Sequence, residues 1–135
     1  MAQDRVFAVS FAFNSRQGLI LVRAEASGPL QTAVLRLALD TGATRTVLDA
    51  SAVTTIGYDC GPTAKQTTLT TGSGVETVAV VEVARVHALG MHVEPMEVLA
   101  HPFPPSAKID GVLGLDFLRG KVLNIDFQGG QIDLS

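Results

Sequence analysis

The chain has 135 residues, of which 47% are hydrophobic and 17% charged, with a net charge of −3. That balance suits a single domain, 1–135, with one core, and it argues against a disordered chain; an acidic total with no Lys/Arg cluster gives no reason to expect a nucleic-acid partner. No apolar run approaches the roughly 20 residues that span a bilayer, and no basic segment leads into a signal-like stretch, so a soluble chain is expected, cytoplasmic by default unless an anchor or signal has been removed.

Strand signals come first and dominate. Residues 7–13, Phe-Ala-Val-Ser-Phe-Ala-Phe, set bulky side chains at every second position, the period of a strand with one buried face. Asn14-Ser15-Arg16-Gln17-Gly18 reads as a turn before an apolar strand over 19–25, and Ser27-Gly28-Pro29 as a second turn. In Leu35-Arg36-Leu37-Ala38-Leu39 three leucines share one face of a half-buried strand. Residues 49–53 read as one helical turn with Asp49 as cap, closing before Gly57. Residues 65–86 predict strands on both sides of Gly72-Ser73-Gly74, the second rich in valine. Leu89-Gly90 then turns into a strand over 91–100. His101-Pro102-Phe103-Pro104-Pro105 reads as loop. Residues 113–119 predict a short helix stopped by Gly120, and residues 122–134 a closing hairpin around Gly129-Gly130. The pattern predicts an all-β closed fold with one or two short helices.

Chemistry concentrates at Asp40-Thr41-Gly42-Ala43. The leucine strand ends in a carboxylate, followed by a hydroxyl residue, a glycine without Cβ and an alanine, so backbone or ligand can approach closely. An acid so placed has a pKa sensitive to its neighbours. Asp-Thr-Gly alone is most often an ordinary turn. Two further features strengthen it: the glycine turn Thr70-Thr71-Gly72-Ser73-Gly74-Val75, and the late run Ile109-Asp110-Gly111-Val112-Leu113-Gly114-Leu115-Asp116-Phe117-Leu118. Cys60 is the single cysteine, so no intrachain disulfide forms, and no cysteine-protease signature surrounds it. His87, His92 and His101 lack metal-ligand spacing, so neither a metal nor another cofactor is expected.

In that order, the three features resemble the retropepsin-like aspartic proteases, a family with retroviral, retrotransposon and bacterial members. The resemblance runs from about Gly18 to Phe127, nearly the whole chain. It implies a closed retropepsin-like (acid protease) β-barrel and an aspartic endopeptidase acting on peptide or protein substrates. It implies Asp40 as catalytic acid/base, Thr41 as a tie between paired loops, and Gly42 as a point of close approach. Ala43 would line the substrate site, Gly72, Ser73 and Gly74 would form a flap tip, and Val112, Leu113, Gly114 and Asp116 would support the catalytic loop. Because the chain has one Asp-Thr-Gly, the second carboxylate is expected from Asp40 of an identical subunit, making a homodimer a requirement for activity. Asp110 and Asp116 are the competing partners within the chain. The alternative is a catalytically silent retropepsin-fold module for dimerisation or peptide binding.

Two departures from retroviral members stand out. Thr44-Arg45 replaces the usual acidic residues, and Asp116 stands where an arginine usually follows the late glycine; Arg45 or the Thr44 hydroxyl is therefore expected to meet Asp116, unless Asp116 merely favours a helix N-terminus. The ends also differ: residues 7–13 and 132–134 are candidates for the subunit contact, or for packing within one subunit.

Overall fold

A computed structural model describes residues 9–135; positions 7 and 8 of the first expected strand lie outside the described residues. In chain order the elements are β1 (Ser10–Ala12), β2 (Leu21–Ser27), β3 (Thr32–Leu39), β4 (Val47–Asp49), α1 (Ala50–Thr55), β5 (Gln66–Thr71) and β6 (Gly74–Val83). They continue as β7 (Arg85–Ala88), β8 (Met91–Val93), β9 (Met96–His101), β10 (Gly111–Leu113), α2 (Leu115–Leu118), β11 (Leu123–Asp126) and β12 (Gln131–Leu134). One 3-10 turn, Pro105–Ala107, precedes β10.

Two sheets hold these strands: a three-stranded one in the order β1-β12-β11, and a nine-stranded one in the order β5-β6-β9-β4-β10-β3-β2-β7-β8. The expectation of a closed barrel is corrected here. The nine-stranded sheet has two ends, β5 and β8, that do not pair with each other among the described residues. The mostly-β character and the two short helices stand as expected. Local alternation reports which face a strand buries, and closure depends on how distant strands meet.

The centre of the large sheet positions the Asp40 loop. β10 runs parallel to β3, with Gly111 opposite Leu37 and Leu113 opposite Leu39, and antiparallel to β4 on its other side. Gly111 has φ +154, and a Cβ there would collide with the Val47 carbonyl oxygen, so only glycine lets the three strands close up. β3 buries Leu35 and Leu37, and β2 buries Val22, Ala24 and Ala26 against them. The valine run of β6 faces two ways. Ala79, Val81 and Val83 enter the main core, while Val78 and Val80 join Val47 and Leu99 in a second apolar cluster. A strand covered on both faces reads as continuous hydrophobics rather than as an alternation.

Several element boundaries differ from the sequence reading. Residues 91–100 form two strands, because Pro95 has no N–H for the ladder; β8 ends at Val93 and β9 starts at Met96. His101 belongs to β9, since the proline-rich loop begins one residue later. α2 covers only Leu115–Leu118, with Leu113 spent on β10 and Gly114 extended before the helix. Asp49 flanks α1 but makes no capping bond; its carboxylate accepts the Ser51 hydroxyl at 2.7 Å and the Phe103 N–H at 3.1 Å instead. The Leu89-Gly90 turn has positive φ at both residues, 54 and 75, as a tight hairpin needs, and buries Leu89 in the core. No helix among the described residues is long and apolar enough to cross a membrane.

Candidate active site

Asp40 follows the last residue of β3 and is anchored on both sides. The Leu39 N–H donates to the Ile20 carbonyl at 2.8 Å, and the Asp40 N–H to the Leu113 carbonyl at 3.0 Å. Strand pairing thus fixes the backbone up to the acid itself. The chain then reverses: the Gly42 N–H donates to Oδ1 of Asp40 at 2.8 Å, and the Ala43 N–H to the Asp40 carbonyl at 3.2 Å. A Cβ on Gly42 would lie 3.1 Å from that same Oδ1. Asp40, Thr41 and Gly42 are all exposed, so the acid is held in place while its carboxylate stays open to solvent or substrate.

Beneath this loop lies a buried polar knot. The Thr46 side chain is fully buried, at 0% exposure. Its N–H donates to Oδ2 of Asp116 at 2.9 Å and its hydroxyl to Oδ1 at 2.7 Å, while the Gly114 N–H donates to that hydroxyl at 3.1 Å. The Leu115 N–H closes the knot by donating to the Ala43 carbonyl at 2.8 Å. Gly114 permits this closeness: a Cβ there would sit 2.8 Å from the Ala43 and Arg45 carbonyl oxygens. Leu113 and Gly114 are buried, so their part is support, with Asp116 as the acceptor that ties α2 to the segment after Asp40.

Neither expected partner reaches Asp116; Thr46, absent from the sequence reading, takes that place. Arg45 points elsewhere and pairs with Glu97 at 2.7 Å, beside Lys65 at 3.5 Å. The Arg45 and Glu97 side chains are 36% and 45% exposed, so solvent screens the pair. Arg45→Ala is expected to lower stability by less than about 1 kcal/mol in chemical denaturation.

A cleft of about 740 Å³ opens on Asp40. Gly42, Ala43, Thr44, Arg45, Val47 and Val112 line it from the loop and floor, Leu99 and residues 101–104 from the wall, and residues 67–71 from the hairpin. Gly72, Ser73 and Gly74 sit beyond that lining, at the exposed turn where Thr71 pairs with Gly74. His101 is a further cleft residue that sequence reading passed over. Its Nε2 lies 3.3 Å from Glu76 on β6, and its ring meets Phe103 edge-on at 5.9 Å. Pairing of β6 to β9 stops at Ala79, so this contact joins the projecting hairpin to the wall. His101→Ala is expected to loosen the hairpin, read as faster amide hydrogen exchange over residues 67–76 with the rest of the sheet unchanged.

Asp40 is the one carboxylate on the cleft among the described residues. Asp116 is committed to Thr46, and Asp110 accepts the Arg36 N–H at 2.8 Å and does not line the cleft. Burial pushes the Cys60 thiol upward, which disfavours a thiolate nucleophile there. Among the described residues no three His, Cys, Asp or Glu side chains cluster as a metal site requires.

A mostly-β chain that presents a single Asp-Thr-Gly acid on a cleft, under a two-stranded hairpin, has the architecture of a retropepsin-like protein. The sequence model described as aspartyl protease matches residues 22–117, so the chain belongs to the aspartyl protease family that this model describes. The crystal structure of a retropepsin-like aspartic protease from Rickettsia conorii superposes with a TM-score of 0.69 at 21% identity, covering 94% of this chain and 89% of that one, which shows a shared fold. No curated protein sequence matches the chain.

Proposed function

We propose that the chain is an aspartic endopeptidase that hydrolyses peptide bonds with a water held between Asp40 and Asp40 of the partner subunit. The observation that carries this reading is the cleft itself: it holds one positioned carboxylate, and the two other acids considered as partners are engaged elsewhere. Two carboxylates brought that close cannot both ionise, so they share a proton. The ionised one takes a proton from water as its oxygen attacks the scissile carbonyl carbon. The protonated one gives its proton to the carbonyl oxygen, and the tetrahedral intermediate then collapses with proton transfer to the departing amine. Thr41 would tie the two loops across the axis, and Gly42 and Ala43 would face the substrate backbone.

Extended peptides fit this cleft. β5 is an edge strand, and its five consecutive residues 67–71 line the cavity, offering unpaired backbone groups along its length. Gly72, Ser73 and Gly74 would then act as the tip of a closing flap. Val47, Leu99, Phe103 and Val112 favour apolar side chains beside the scissile bond. The test is digestion of a mixed peptide library between about pH 4 and 7, read by mass spectrometry. Internal cuts between apolar residues are expected. A dimeric protein that cuts nothing across that range would contradict the proposal and favour a binding module.

A further inference from the structure

The cleft on Asp40 is electrically uneven along its wall. Among the described residues that line it, only Asp40, Arg45 and His101 are ionisable. His101 is occupied on the hairpin side by Glu76, 3.3 Å away. Arg45 marks the other end of the same wall. Glu97, Leu99 and His101 alternate along β9, so they share the sheet face on which Leu99 and His101 line the cleft. The Arg45 guanidinium reaches Glu97, the member of that row farthest from His101, at 2.7 Å. Its positive charge therefore sits where the apolar stretch of Val47 and Leu99 ends.

That charge is lightly committed. A guanidinium carries five N–H donors, and among the described residues only its Nη2 has an acceptor, Oε1 of Glu97. Glu97 is itself shared, since Lys65 approaches its other oxygen at 3.5 Å. Glu82 stands opposite Glu97 in the β6–β9 ladder, on the flank away from β4 and Arg45. Neither Glu97 nor Glu82 lines the cleft, so Arg45 is the fixed cation nearest to anything lying in it. Both partners of the Arg45–Glu97 pair are open to solvent, so an incoming carboxylate can share or displace Glu97 at little cost. A peptide covering the wall would also exclude water and strengthen the new contact.

We infer that Arg45 is a specificity-determining residue, and that the cleft takes extended peptides carrying a carboxylate side chain at the position that reaches it. The inference rests on the endopeptidase reading above and narrows its substrate class to apolar segments with one placed acid. The planar fork of arginine matches a carboxylate with two parallel N–H bonds. Glutamine fills the same space without the charge, and lysine meets a like charge there.

The test is binding of a series of short apolar peptides in which a single glutamate or glutamine is moved through every position. Fluorescence anisotropy would be read on the Asp40→Asn chain, alone and combined with Arg45→Gln, Arg45→Glu, Glu97→Gln or Arg23→Gln. Arg23 pairs with Glu25 on β2, outside the cleft, and serves as control. At one position glutamate is expected to bind about threefold tighter than glutamine, the size of an exposed ion pair. That preference shrinks as sodium chloride rises from about 0.05 to about 0.5 M, as a charge contact requires. Arg45→Gln abolishes it, Arg45→Glu reverses it, and Glu97→Gln widens it by removing the competing carboxylate. Equal binding of glutamate and glutamine at every position, or a preference that survives Arg45→Gln, overturns the inference. The same peptides are offered for cleavage to the chain with Asp40 intact. A preference without cleavage upholds the Arg45 site and overturns the endopeptidase reading, and cleavage without a preference does the reverse. Peptides that neither bind nor are cut overturn both.

Discussion

Replacing Asp40 with Asn is expected to leave the fold intact and to lower kcat by roughly 10²–10⁴-fold, with little change in KM. Asparagine has the shape of aspartate, and its amide oxygen can still accept the Gly42 N–H that now bonds Oδ1 at 2.8 Å. Asp40 is exposed, so no buried charge is lost and the melting temperature should hardly move. What disappears is the ability to take a proton from water and hand one to the carbonyl oxygen. Steady-state kinetics on a cleaved library peptide, with a thermal melt of both proteins, checks both halves. Undiminished cleavage by a folded Asp40→Asn protein would remove Asp40 from the mechanism.

Asp116→Ala is expected to act in the opposite manner, lowering stability by about 3 kcal/mol. The carboxylate accepts both the N–H and the hydroxyl of Thr46, whose side chain is wholly buried. Without it, a buried N–H is orphaned and the hydroxyl that receives the Gly114 N–H loses its own acceptor. For a chain of this size the loss corresponds to a fall of roughly 10 °C in melting temperature. Asp116→Asn, which keeps one acceptor oxygen, should lose less. The pair of variants also separates two roles for Asp116. As the support found here, it sets stability first and activity through the loop. As a second catalytic acid within one chain, it would abolish cleavage and leave the melt unchanged.

The strand end at Asp40 was legible because its signals are local. Leucines at 35, 37 and 39 define a strand face, and the acid and glycine that follow mark where the strand ends. The glycine hairpin and the Gly129-Gly130 turn were legible for the same reason. The support beneath the loop was not, because Thr46 and Asp116 meet across 70 residues, through β10 lying between β3 and β4. Charge pattern pointed to Arg45, yet an arginine there reaches Glu97 at the surface, and the buried position needs a side chain as short as threonine. His101 was read with the prolines after it, although a proline steers the residue before it toward extended backbone, which suits a strand end. Closure of the sheet was likewise beyond local pattern, since each strand's alternation is satisfied equally in an open or a closed arrangement.

The central claim, one active site made from two copies of Asp40, is tested most directly by mixing subunits. Wild-type protein at fixed concentration, high enough to be fully dimeric, would be equilibrated with increasing amounts of Asp40→Asn protein and assayed for cleavage. If each site needs both acids, mixed dimers are inactive, and activity falls to about half at equal amounts and about a quarter at threefold excess of the variant. Activity that stays constant as the variant is added would contradict the account, because it would place a complete site within a single chain.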